Sequence, residues 1–192
     1  MYPKPRRQDS RFLKRKVVVS VEGAVTEDEY FKRIGKLYWD KVVVDIPKNV
    51  NKSAPNHVLD RIRNYRGKLN PGDEMWCVID SDKWTPKQKA DIAKWATGKS
   101  GKVRRYFGMS NPKIELWLTL HFVDWDPNKP GFLSALRKHM PTYDKHIEQK
   151  RITKDNVLIA IGRGKKYSPS PNPPLKSKGS NLWVLVEHIA RQ

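Results

Sequence analysis

Residues 76–82 read W-C-V-I-D-S-D, an apolar run that stops abruptly at two carboxylates. An unbroken apolar run, with no polar alternation, suits a strand covered on both faces, as strands of parallel sheets are. In open parallel sheets the ligand crevice lies beyond the carboxyl ends of the strands, which is where Asp80 and Asp82 fall. Two adjacent carboxylates raise each other's pKa unless a positive charge intervenes. A hard cation such as Mg²⁺, which takes oxygen ligands, would supply that charge. A strand closing in an Asx turn with solvated aspartates is spelled with the same letters, so the rest of the chain has to decide.

Upstream, V-V-V-S-V at 17–21 is a second buried strand, and Glu22-Gly23 stands at its carboxyl end, the glycine permitting a sharp turn. Thr26-Glu27-Asp28-Glu29 has the spacing of a capping box, with Thr26 as N-cap and Glu29 reaching back. Tyr30, Phe31, Ile34, Leu37 and Tyr38 then form one helical face. Residues 41–46 (K-V-V-V-D-I) read as a further strand and 47–54 as a loop. Pro55 suits the first position of a helix carrying Val58, Leu59, Ile62 and Tyr65. Asn70-Pro71-Gly72-Asp73 is a turn leading into the strand Glu74–Ile79. Downstream, Thr85-Pro86-Lys87-Gln88 is another capping box, opening a helix to Thr97 that Gly98 closes, and Lys102–Phe107 reads as the last strand of the series. Strands alternating with helices imply an α/β fold with a mainly parallel sheet flanked by helices.

Ser110-Asn111-Pro112 reads as the start of another helix, capped by Ser110 or Asn111 and running from Ile114 to Phe122. That helix is apolar nearly all round and therefore buried. Its Glu115 is costly there unless paired or metal-bound, although a first-turn glutamate also suits the helix dipole. His121, in the same helix, reads as a core or solvated histidine. The loop Asp124–Gly131 begins like a calcium loop, but Lys129 and Ala135 stand where glycine and glutamate are required. Helical segments follow at 132–139, 144–149 and 153–161. G-R-G-K-K at 162–166 lacks the spacing of a phosphate loop and reads as the basic end of a helix. Residues 167–179, rich in proline, form an extended loop, and 181–190 a closing amphipathic helix. The expected organisation is a basic N-terminal arm at 1–16, an α/β core at 17–122, and a helical appendage at 123–192 packed on that core.

Charge is the strongest bulk signal: 39 Lys and Arg against 20 Asp and Glu, a net of +19. Such an excess points to a polyanionic partner, nucleic acid before an anionic membrane. No apolar run of about 18 residues spans a bilayer, and no secretory h-region follows the basic N-terminus. The single cysteine, Cys77, lies within the apolar strand, which excludes an internal disulfide and a cysteine-rich zinc site. A cytoplasmic protein is the resulting expectation. For phosphate contact the candidates are Lys83, Arg104, Arg105, Lys113, Lys165 and Lys166. If the strands before Glu22 and Asp80 are neighbours, three carboxylates meet at one edge, able to hold Mg²⁺ or to divide metal binding and proton transfer among them.

V-V-V-S-V-E-G, T-E-D-E-Y-F and V-I-D-S-D together resemble a Toprim domain, the catalytic module of topoisomerases, DnaG-type primases and small ribonucleases. With S-N-P-K-I-E-L-W-L-T-L-H-F added, the chain resembles the RloB-like family of bacterial anti-phage defence proteins. The resemblance runs from about Val17 to Phe122 and continues weakly in N-L-W-V-L-V-E-H-I. It implies that Glu22 is a general acid/base, that Asp80 and Asp82 bind Mg²⁺ or Mn²⁺, and that Glu115 is a further ligand or scaffold carboxylate. It implies a nuclease acting on RNA, tRNA included, ahead of DNA, alongside a partner protein from a defence operon. Many Toprim domains carry glycine soon after D-x-D, whereas Lys83-Trp84 follow here. Two other functions fit the same letters: a nucleic-acid-binding subunit with structural carboxylates, and a nucleotide-sensing or phosphotransfer protein.

Overall fold

The computed structural model describes residues 14–48, 56–98 and 101–190. Most of the expected basic arm, most of the loop before Pro55, and Pro55 itself lie outside them. The described chain forms β1 (Arg15–Val21), α1 (Thr26–Leu37), β2 (Val42–Asp45), α2 (Asn56–Arg63), β3 (Glu74–Asp80), α3 (Pro86–Thr97) and β4 (Arg104–Asn111). It continues with α4 (Ile114–Leu120), α5 (Phe132–His139), a 3₁₀ turn (Gln149–Arg151), α6 (Lys154–Tyr167), β5 (Gly179–Ser180) and α7 (Leu182–Ala190). The sheet order is β2-β1-β3-β4-β5, parallel throughout except for the two-residue β5. This is the mainly parallel, helix-flanked α/β sheet that the alternation of elements implies.

The apolar strands are covered on both faces, as their lack of alternation requires. Val17, Val19, Val21, Trp76 and Val78 pack into one layer with α1, α4 and the C-terminal helices. Val18, Met75, Cys77, Ile79, Phe107 and Met109 point the other way, against α2 and α3. Ser20, the one polar residue in the β1 run, is fully buried and donates to the Val58 carbonyl at 2.8 Å, which ties β1 to α2. Cys77 is a buried core residue whose thiol is pushed up by burial. The Asn70–Asp73 turn forms with Gly72 at φ 90°, a left-handed value that favours glycine. The α3 capping box forms as expected between Thr85 and Gln88.

Three local expectations are corrected. Thr26 does not cap α1; Val25 does, without a side-chain bond. Thr26 instead donates to the Lys145 carbonyl at 2.6 Å, and Glu29 accepts from the Ile147 N–H at 2.9 Å and pairs with His146. Neither Ser110 nor Asn111 caps α4, because β4 continues through both and Lys113 occupies the N-cap. Pairing with β3 up to Asp80 and with β5 carries the strand past Phe107. Residues 144–148 are not helical: Lys145 has φ 104°, and the N–H groups of His146 and Ile147 go to the carboxylates of Asp144 and Glu29. As expected, G-R-G-K-K is the basic end of a helix: α6 runs to Tyr167 with Lys165 and Lys166 in its last turn. His121 is a core residue, bonded to Tyr30 and the Trp117 carbonyl, with burial pushing its pKa down to about 4.

Candidate active site

Because β1 and β3 are parallel neighbours, with Val21 level with Val78, the chain leaves both strands at the same edge. Glu22 and Asp80 therefore emerge side by side. β4 ends beside them, and the short connection into α4 brings Glu115 to the same place. The D-S-D turn is fastened to this connection. Ser81 N–H donates to the carbonyls of Ser110 (2.8 Å) and Pro112 (3.1 Å), and its hydroxyl to Asn111 Oδ1 (2.7 Å). Lys89 of α3 donates to the Ser81 carbonyl at 2.8 Å.

The structure adds a carboxylate that the sequence reading missed. Glu27, 7% exposed, turns its side chain back under the end of β1 and accepts the Gly23 N–H at 3.1 Å. A Cβ at position 23 would overlap the Glu27 carboxylate, so the glycine of E-G serves this close approach. The spacing E-G-x-x-x-E was the available signal. Tyr143, for which the sequence offered none, donates to Glu115 Oε1 at 2.9 Å and lies 3.4 Å from the Thr26 hydroxyl.

Asp80 sits at the centre of this charge. Burial, then the charges of Glu27, Glu115, Glu22 and Asp82, push its pKa up to about 9. Glu27 is pushed up to about 7, chiefly by burial, with Glu22 and Glu115 adding to it against two backbone hydrogen bonds. As the side chains stand, no three His, Cys, Asp or Glu among the described residues converge on one point. The donor set is nonetheless all oxygen, with a partly buried acid at its centre short of positive charge, which is the chemistry of a hard-cation site.

Two of the six candidate phosphate contacts reach this edge: Lys83 Nζ stands 3.8 Å from Glu22 Oε1, and Lys113 Nζ 3.4 Å from Asp82 Oδ2. The other four stand elsewhere. Arg104 and Arg105 begin β4 and so lie at the opposite end of the sheet. Lys165 pairs with Glu187 and Lys166 with Asp124. Trp84, which with Lys83 departs from the Toprim pattern, is buried in the layer below the sheet with Ile92 and Ile79. Its indole N–H donates to Glu22 Oε2 at 2.7 Å. It thereby fixes the glutamate from beneath rather than filling the crevice.

A family model described as RloB-like protein matches residues 17–189. The chain belongs to the RloB-like protein family. Comparison with curated proteins and with solved structures gave no match. The match reaches past the carboxylate edge, so Tyr143, the α5–α6 connection and α7 up to Ile189 of this RloB-like protein fall inside the family unit. Among its described residues no helix is long and apolar enough to cross a membrane.

Proposed function

We propose that this RloB-like protein is a divalent-metal-dependent nuclease of Toprim type, cleaving nucleic acid in bacterial anti-phage defence. One observation carries the reading: five carboxylates, Glu22, Glu27, Asp80, Asp82 and Glu115, share one sheet edge in a chain of net charge +19. The basic surface draws a polyanion in, and an acidic centre on such a surface is of use only with a cation between it and the phosphate. Asp80, Asp82, Glu115 and Glu22 would hold Mg²⁺ or Mn²⁺, which stabilises charge on the phosphodiester oxygens when bound. Glu22, oriented by the Trp84 indole, carries the proton of the attacking or leaving oxygen. Lys83 and Lys113, at the rim, orient the phosphate. The preference for RNA, tRNA included, over DNA rests on the family resemblance.

The test is incubation with total RNA and with plasmid DNA in Mg²⁺, Mn²⁺ or EDTA, comparing wild type with Asp80→Ala and Glu22→Gln. Metal-dependent cleavage lost in both variants is expected. Cleavage that survives EDTA and both substitutions sinks the reading. A second reading, a non-catalytic nucleic-acid-binding or nucleotide-sensing subunit, is favoured by the lack of convergence among the carboxylates as they stand. It predicts steeply salt-dependent binding with no turnover in any metal.

A further inference from the structure

The amino-terminal end of the sheet carries its own chemistry, remote from the carboxylates. β3 is seven residues long, so the two ends lie about 20 Å apart at roughly 3.3 Å per residue. Here β4 has an open edge. β5 pairs only with Ser110 and Asn111. Asn181 closes the next stretch, accepting the Met109 N–H (2.6 Å) and donating to the carbonyls of Met109 (3.1 Å) and Phe107 (3.1 Å). Alternate residues of a strand between two neighbours turn their N–H and C=O to the same side. Arg105, two and four residues before those positions, therefore presents its backbone to the same edge, where no strand among the described residues covers it.

A cavity of about 460 Å³ opens at this edge, between α3, α7 and the 171–173 loop. That is within the ~300–1,000 Å³ of small-molecule sites. One wall is aromatic: Tyr106 stacks on Trp76 (ring centroids 4.4 Å, 15° between planes), with His188 edge-on to both. The other features are cationic. Arg15 and Arg104 share the buried Glu74, and Arg105 adds a charge with no carboxylate partner among the described residues. Its guanidinium lies over Trp95 at 5.5 Å, and its Nε is buried with no hydrogen-bond partner among the described residues. Arg105 also lines a second cavity of about 490 Å³, beside Arg63 and Lys94. A flat aromatic platform, an unpaired strand backbone and an unpaired arginine are the three elements that read a base face, a base edge and a phosphate.

We propose that this end of the sheet is a nucleotide-binding site, distinct from the carboxylate edge. The base stacks on Tyr106 with its edge toward the Arg105 backbone, and the phosphate meets the guanidinium of Arg105, which lines both cavities. A free mononucleotide and an unpaired nucleotide of a single strand offer the same chemistry. An acidic peptide would satisfy the arginines but would find only about three residues of open edge before Asn181, less than an ordinary strand pairing.

The experiment is photo-cross-linking in EDTA with 4-thiouridine monophosphate and with a single-stranded RNA carrying one 4-thiouridine. Sites are mapped by mass spectrometry and affinities taken by calorimetry. Without metal and with position as the readout, its failure is distinct from failure of the nuclease reading. Cross-links at residues 104–107 or 171–173 are expected. Arg105→Glu should weaken binding at least tenfold, and Thr97→Trp, which fills the cavity mouth and leaves the arginines in place, should remove those cross-links. Circular dichroism confirms that both variants fold. Cross-linking of the mononucleotide identifies a free nucleotide; cross-linking of the RNA alone identifies an unpaired residue of a strand. The proposal is overturned by cross-links confined to the carboxylate edge, by none at millimolar probe, or by wild-type behaviour of both variants. An Arg105-dependent interaction with a glutamate-rich peptide, with neither nucleotide probe cross-linked, also overturns it, in favour of peptide docking.

Discussion

Replacing Asp80 by asparagine should make the metal-free protein more stable, not less. The folded protein holds this carboxyl protonated, its pKa pushed from 3.8 to about 9 by burial and by Glu27, Glu115, Glu22 and Asp82. An acid whose pKa is raised on folding adds stability that is fully present below its unfolded value, near pH 4, and is lost as pH rises toward the folded value. The cost is about 1.4 kcal/mol per pH unit, so at pH 7 the fold forgoes on the order of 4 kcal/mol at this one side chain. Asparagine has nearly the same shape and no proton to hold. Allowing for relaxation around the site, the expected gain is about 2–4 kcal/mol at pH 7, falling to nearly nothing at pH 4. Urea melts in EDTA at pH 4.5, 6 and 7.5 read this directly. In 10 mM Mg²⁺ the wild type should recover part of the difference, about 1.4–2.7 kcal/mol if it binds with a Kd of roughly 0.1–1 mM. Parallel stability–pH curves for wild type and Asp80→Asn in EDTA would refute the placement of Asp80 among like charges.

Trp84→Phe keeps the apolar packing and removes the N–H that holds Glu22. Turnover should fall by about 10–100-fold, the worth of a hydrogen bond to a charged group, with little change in melting temperature; an unchanged kcat would show that Glu22 needs no such support. Glu74→Ala removes the anion that Arg15 and Arg104 share. His188, Trp76 and Arg15 together outweigh the burial that would raise its carboxyl and hold it below the ordinary range. Breaking such a buried pair should cost about 3–5 kcal/mol in a urea melt, and a loss under 1 kcal/mol would mean the site is solvated.

The parallel sheet was legible because unbroken apolar runs, helical faces and turn residues agreed along 17–107. The acids at Glu22, Asp80 and Asp82 were legible because a strand end is a local event. What escaped depended on distant partners. Thr26 and Glu29 have the letters of a capping box, but the 145–147 loop claims both side chains. Gly108-Met109-Ser110-Asn111 looks like a break, yet β3 on one side and the 179–181 segment on the other hold it extended. Glu27 read as one acid among three in a first turn, and only the fold shows it folded back against Gly23. Tyr143 belongs to the carboxylate edge through a contact 28 residues long in sequence, which no local pattern encodes.

That contact has a consequence for the order in which the protein comes into being. Chains emerge amino end first, at about 5–20 residues per second. Glu22, Glu27, Asp80, Asp82 and Glu115 are all made before Tyr143, and before the α7 residues that bury Trp76 and Gly108. For several seconds the nascent protein possesses every acid of its crevice but neither the hydroxyl that holds Glu115 nor the layer that closes over the sheet. The cluster is thus completed by Tyr143, made 28 residues after the glutamate it holds.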